Sequence, residues 1–257
     1  LEESLLHAKT AGVGAIITIG TSVASSQKAI SIAEKYSSDE LGIFATVGIH
    51  PYDAQAEIES MGIDRCVKQI AELATTSKKI VGIGEAGLDY YLEQENLNRK
   101  QETTDEDKIF QRKLLGEQIK IANDLNLPLV VHCRNAWDEI FEVLTRDNLK
   151  KAVLHSFTGS AQDAKAATAL GYFVSYSGIV TFKNATDIQA AAKQTERSMI
   201  LVETDSPYLS PEPFRGQKNE SANVRITASY LANLLDVSEE DFFESTTQNA
   251  LKAFRLW

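Results

Sequence analysis

Cysteine is almost absent from this chain. Cys66 and Cys133 are the two in 257 residues, and neither sits in a C-x-x-C pair. That excludes a disulfide-stapled secreted scaffold and a thiolate zinc centre, and it makes a reducing, cytoplasmic compartment the expectation. Long apolar runs are missing as well: nothing approaches the ~20 residues needed to span a bilayer. Positive charge is in deficit, with 26 Lys and Arg against 36 Asp and Glu and a formal net charge of -10. Such a chain does not coat a nucleic-acid duplex through a broad basic face. A small contact with one or a few phosphates stays open, because bound cations supply positive charge locally. There is no G-x-S-x-G elbow for a serine hydrolase. Cys133 directly follows His132, with no separate activating base for a cysteine nucleophile. Nothing in the sequence calls for an obligate protein partner.

What is present is an alternation of short β-branched runs and amphipathic stretches. The runs are expected as strands at Ala15 to Ile19, Leu41 to Gly48, Ile80 to Glu85, Pro128 to His132, Ala152 to His155, Tyr172 to Tyr176 and Met199 to Glu203. Between them the periodicity predicts helices, among them Ala24 to Tyr36, Ala56 to Thr75 and Asp105 to Asn126. The last of these carries Ile109, Phe110, Leu114, Ile119, Ala122 and Leu125 on one stripe. The polar segment Leu92 to Thr104 reads as an exposed loop, and Ser221 to Trp257 as helical throughout. Alternating β and α elements imply a parallel sheet with helical crossovers. No linker or low-complexity tract interrupts residues 1–257, so a single domain is expected. Seven strands are one short of a (β/α)8 barrel, and the chain opens on a helix. The expected fold is therefore α/β, a TIM-type barrel lacking its first strand. An open doubly wound sheet is the alternative, but Ile19-Gly-Thr-Ser22 is too sparse to be a phosphate loop.

Four of these runs end on a group that binds metals: Ile80-Val-Gly-Ile-Gly-Glu85, Leu127-Pro-Leu-Val-Val-His132, Lys151-Ala-Val-Leu-His155 and Ser198-Met-Ile-Leu-Val-Glu-Thr-Asp205. Each has a plainer reading on its own. His155 is an ordinary hydrogen-bonded strand-end residue, Glu85 a helix cap, and Asp205 a turn residue before Ser206-Pro207. Together, at the C-terminal ends of barrel strands where such enzymes place their chemistry, they make a mixed N/O set suited to divalent cations. His50, in Gly48-Ile-His-Pro51, either hydrogen-bonds substrate or fills its loop. Arg134, Lys183 and Arg215 are candidate phosphate contacts, Arg especially through its planar fork. His7 reads as an ordinary surface residue.

Seven stretches then resemble one family: Thr46-Val-Gly-Ile-His-Pro51, Ile83-Gly-Glu-Ala-Gly-Leu-Asp-Tyr-Tyr91, Leu129-Val-Val-His-Cys-Arg134, Leu154-His-Ser-Phe-Thr-Gly159, Ser175-Tyr-Ser-Gly-Ile-Val-Thr-Phe-Lys-Asn184, Leu201-Val-Glu-Thr-Asp-Ser-Pro-Tyr-Leu209 and Thr247-Gln-Asn-Ala250. They resemble the TatD metal-dependent deoxyribonucleases of the amidohydrolase-like barrel superfamily, and the likeness runs along essentially the whole chain. The resemblance implies metal ligation by Glu85, His132, His155 and Asp205, with Asp205 also the general base and Glu203 supporting a ligand from behind. It implies one or two divalent ions (Mg, Mn or Zn) and DNA as substrate, cleaved from strand ends by metal-activated water. That family also carries an H-x-H pair on its first strand. This chain has none, so the expectation is an N-terminally shortened chain with impaired metal binding and hydrolysis. Two rival readings stand: hydrolysis of another ester or amide bond on the same barrel, and a barrel scaffold whose catalysis has lapsed.

Overall fold

A computed structural model describes residues 1–52, 54–91 and 104–256. The expected loop at Leu92 to Thr104 lies outside the described residues up to position 103, and so does Trp257. The chain divides into two compact units, residues 17–35 with 44–151, and residues 1–16, 36–43 and 152–257.

The elements alternate as expected. They run α1 (Glu2–Thr10), β1 (Ala15–Thr18), α2 (Val23–Tyr36), β2 (Gly42–Val47), α3 (Ala54–Met61), α4 (Ile63–Leu73), β3 (Ile80–Asp89), α5 (Asp105–Leu125) and β4 (Leu129–Arg134). They continue with α6 (Trp137–Arg146), β5 (Ala152–Leu154), α7 (Ala161–Ala169), β6 (Phe173–Tyr176), α8 (Thr186–Gln194), β7 (Ile200–Val202), α9 (Val224–Leu234) and α10 (Glu239–Phe254). Within the first unit β2 pairs with β3 and β3 with β4, all parallel; within the second, β5 pairs with β6 and β6 with β7, also parallel.

In the first unit, Ile83, Leu88, Leu129 and Val131 of β3 and β4 are buried against Leu114, Leu115 and Ile119 of α5. Thr104 starts α5 by accepting the N–H of Asp107, whose carboxylate returns the bond to the Thr104 N–H. This reciprocal capping satisfies donors that the first helical turn leaves open. In the second unit Ser160 and Asp163 cap α7 the same way. There Phe157 and Tyr176 meet edge to face, and the Tyr176 hydroxyl bonds Thr195 Oγ1 at 2.7 Å.

Four expectations are corrected. The helix expected over Ala56 to Thr75 is two helices, divided at Gly62, whose φ of 81° no helix accepts. The C-terminal stretch is likewise two helices, parted at the turn from Leu235 to Ser238. β3 does not stop at Glu85 but runs on to Asp89. The register between β3 and β4 shifts between Ile83 and Ala86, so the segment that carries Glu85 is bulged out of the ladder, and the Glu85 N–H bonds Gly20 O at 2.7 Å. Ile109 is not on the buried stripe of α5; it is 62% exposed, while Gln111 and Gln118 are buried. Amphipathic counting assigns polar residues to the outside, and these two glutamines break the rule because the backbone of Asp89 and of Ile49, just past β2, supplies their hydrogen bonds.

Candidate active site

Glu85 and Asp89 are four residues apart on β3, the first in its bulged segment and the second back in the ladder opposite Arg134. Both reach the His132 ring on the neighbouring strand. Glu85 Oε1 lies 3.0 Å from Nδ1, and Asp89 Oδ2 lies 3.2 Å from Nε2. Close approach of the strands is set partly by Gly87, where an added Cβ would fall 1.8 Å from the His132 carbonyl oxygen. His50 completes the cluster, with Nε2 at 3.5 Å from Glu85 Oε1 and its ring edge-on to His132 at 4.3 Å. Glu85 is only 8% exposed.

Electrostatics follow from that packing. Burial alone would push the His132 imidazolium toward losing its proton, but hydrogen bonds to Asp89 and Glu85 outweigh it and raise the pKa above the ordinary histidine value. Burial likewise pushes Asp89 up, yet the hydrogen bonds from His132 and the Tyr91 N–H win and hold its carboxyl below the usual range. A carboxylate pair, one member buried, around one imidazole is a place where a cation is stabilised. His50, Asp89 and His132 bring ligand atoms within 4.8 Å of one another, a group able to hold a metal ion. The nitrogen and oxygen donors fit a divalent cation. One detail divides the two histidines. His50 Nδ1 accepts the Tyr52 N–H at 3.1 Å, so the neutral ring carries its proton on Nε2, the nitrogen that faces Glu85. His50 is therefore set up as a donor.

Asp89 was not among the residues singled out from sequence, although it stands inside the quoted Glu85 to Tyr91 motif. Its signal was the i, i+4 spacing from Glu85, hidden because the strand was expected to end at Glu85.

Helix α5 holds this cluster from behind. Gln111 and Gln118 are seven residues apart, two turns, and so share a face. Gln118 Oε1 accepts the Ile49 N–H at 2.8 Å, and Nε2 donates to the Ile49 carbonyl at 3.0 Å. Gln111 does the same for Asp89, at 2.9 and 3.1 Å. One helix thus fixes the backbone just before His50 and at Asp89. Gln118→Leu leaves a buried N–H and C=O without partners, at about 1–3 kcal/mol each. A urea midpoint that falls accordingly, with a further loss of metal affinity, is the expected outcome; an unchanged midpoint would contradict this role.

In the other unit, His155 follows β5 directly and Asp205 stands three residues beyond β7, with φ of 59°. His155 Nδ1 lies 2.7 Å from Glu203 Oε1, and its Nε2 lies 3.7 Å from Asp205 Oδ1. Glu203 also accepts the Ser156 N–H at 3.0 Å and the Ser175 hydroxyl at 2.5 Å. A carboxylate on the back nitrogen orients the imidazole and presents its front nitrogen, the usual arrangement behind a metal-binding histidine. The loop after Asp205 is tied down by Asn219, whose amide donates to the Thr204 and Tyr208 carbonyls at 2.7 Å each.

The four expected ligands therefore fall as Glu85 with His132 and His155 with Asp205. Of the expected phosphate contacts, Arg134 belongs to the first unit and Lys183 and Arg215 to the second. Arg134 pairs in register with Asp89. Arg215 is exposed with its guanidinium 4.2 Å from the Phe182 ring centroid, and Lys183 is exposed beside that ring in sequence. His7 is exposed and ion-paired with Glu220 at 2.9 Å. No helix among the described residues is long and apolar enough to cross a membrane.

Comparison with known proteins shows the family. A family model described as TatD related DNase matches residues 1–255. The chain is 32% identical over 260 residues to the uncharacterized metal-dependent hydrolase YabD of Bacillus subtilis, covering 100% of this chain and 93% of that protein. It is 32% identical over 257 residues to human deoxyribonuclease TATDN3, covering 99% and 88%. Among solved structures, YJJV, a TatD homolog from Escherichia coli K12, superposes with a TM-score of 0.85 at 27% identity, covering 100% of this chain and 92% of that one. The phosphotriesterase homology protein of Escherichia coli shares the fold, with a TM-score of 0.68 at 12% identity over 98% of this chain and 88% of its own.

Proposed function

Because this chain belongs to the TatD family of metal-dependent hydrolases, whose barrel-type α/β fold it shares, we propose that it hydrolyses phosphodiester bonds of DNA at strand ends. The observation that carries the reading is His132 held between two carboxylates, the buried Glu85 and the half-buried Asp89. The name of human TATDN3, a deoxyribonuclease, supports DNA as substrate. We further propose that residues 1–257 act as one hydrolase domain, and that the small cysteine count reflects work in the cytoplasm.

In this proposal Glu85 and His132 in one unit, and His155 and Asp205 in the other, are the metal ligands, with Asp89 added to the first pair. When bound, one or two divalent cations supply positive charge against the phosphoryl oxygens and make a nearby water a stronger acid. Asp205 accepts the proton of the attacking water at its carboxylate. The water oxygen forms the new bond to phosphorus as the bond to the leaving sugar oxygen breaks, and that oxygen takes up a proton from solvent water to leave as the alcohol. His50 donates its Nε2–H to a phosphate oxygen, and Arg134, Lys183 and Arg215 orient the nucleotide. Glu203 keeps the His155 ring aimed.

The test is a substrate panel: end-labelled DNA, a phosphotriester and a cyclic amide, each with Mg, Mn or Zn and again after chelation. DNA shortening that chelation abolishes and added metal restores is expected. Turnover of only the triester or amide would move the chain to another ester or amide chemistry. No turnover in any arm would favour a lapsed scaffold.

A further inference from the structure

Two adjacent tyrosines follow Asp89, and the fold uses only the first. The Tyr90 hydroxyl donates to Glu139 at 2.8 Å, Arg112 pairs with the same carboxylate, and the Lys108 ammonium sits 4.9 Å from the Tyr90 ring. Tyr90 thereby ties the end of β3 to α5 and α6. Tyr91 is 44% exposed. Among the described residues its polar contacts are two. Its N–H donates to Asp89 Oδ1 at 3.0 Å, and the Arg134 guanidinium carbon lies 3.4 Å from its ring centroid. That spacing places the guanidinium over the face of the ring. Arg134 is itself exposed, and among the described residues no acceptor takes its side-chain N–H groups.

The strand ladder positions both partners. Asp89 and Arg134 are register neighbours, and the Tyr90 N–H donates to the Arg134 carbonyl at 2.9 Å. Asp89 bonds the Tyr91 N–H with one oxygen and faces His132 with the other. The stack therefore stands at the edge of the metal-ligand cluster, one carboxylate away from His132. With the guanidinium laid on one face of Tyr91, the rest of this half-exposed ring and the Arg134 N–H edge are left for a ligand.

We propose that Tyr91 and Arg134 form a nucleotide platform, on which a base stacks while the Arg134 edge takes a phosphate oxygen. This rests on the reading of the site as a DNA phosphodiesterase and names the residues that grip the nucleotide. The charge balance favours such a device. At a net charge of -10 the chain gains little from long-range attraction to a phosphate backbone. Stacking on an aromatic face needs no net positive charge and accepts any base.

The experiment compares labelled oligonucleotides whose terminal nucleoside carries or lacks its base. Binding is followed by fluorescence anisotropy in EDTA, and cleavage is followed with Mg, Mn or Zn. The wild-type chain should prefer the end that carries a base by roughly tenfold in Kd and KM. Tyr91→Ala should make the two ends equivalent, and Tyr91→Phe should keep the preference, because the ring and not the hydroxyl stacks. Arg134→Ala should weaken binding of both oligonucleotides. A wild-type protein indifferent to the terminal base, or a Tyr91→Ala variant that still discriminates, would overturn the platform. Discrimination in EDTA without cleavage in any metal would keep the platform and remove the nuclease reading. Cleavage without discrimination would do the reverse, and neither binding nor cleavage would remove both.

Discussion

Glu85→Gln should abolish metal-dependent hydrolysis while the protein remains folded. The substitution keeps the side-chain volume but removes the charge that faces both His50 and His132. A neutral amide is a far weaker partner for a divalent cation, so bound metal after dialysis should fall together with turnover, by orders of magnitude. A second readout needs no metal. Hydrogen bonds to Asp89 and Glu85 hold the His132 pKa above its ordinary value, so in the metal-free variant that pKa should move down. NMR titration of the ring would show it. A variant with full activity and an unmoved histidine would remove Glu85 from the site.

The next largest effect is expected at Asp205. As general base it should carry about 10²–10⁴ of the rate, so Asp205→Asn is expected to lower kcat by that factor. Glu203→Gln tests the neighbouring role separately. Glu203 touches His155, Ser156 and Ser175 and is placed here behind the ligand, so its loss should cost about 10–100-fold in metal affinity. Raised metal concentration should recover much of the Glu203→Gln activity and little of the Asp205→Asn activity. Equal recovery in both would mean that Asp205 serves only as a ligand.

Much of this arrangement was legible before any coordinates. The strands, the parallel pairing and the positions of His132, His155 and Asp205 at or near strand ends follow from short β-branched runs alternating with amphipathic stretches. Burial against neighbouring layers imposes that pattern directly on the order of residues. The support that Glu203 gives to His155 was also readable, from a carboxylate two residues before Asp205 on the same strand exit.

Other features depended on partners far away in the chain. β3 looked finished at Glu85 because a Glu after two interleaved glycines resembles a strand end. The strand in fact bulges there and continues, and Asp89 enters the cluster only through that continuation. Gln111 and Gln118 counted as exterior by polarity, whereas the peptide groups of Asp89 and Ile49 satisfy them inside. The packing of the Tyr91 ring is set by Arg134 on the next strand. Periodicity and residue type, which act along the chain, determined the architecture and the metal-binding chemistry. Hydrogen bonds and stacking between residues 22 to 69 positions apart decided which polar groups the interior could accept and which way they face.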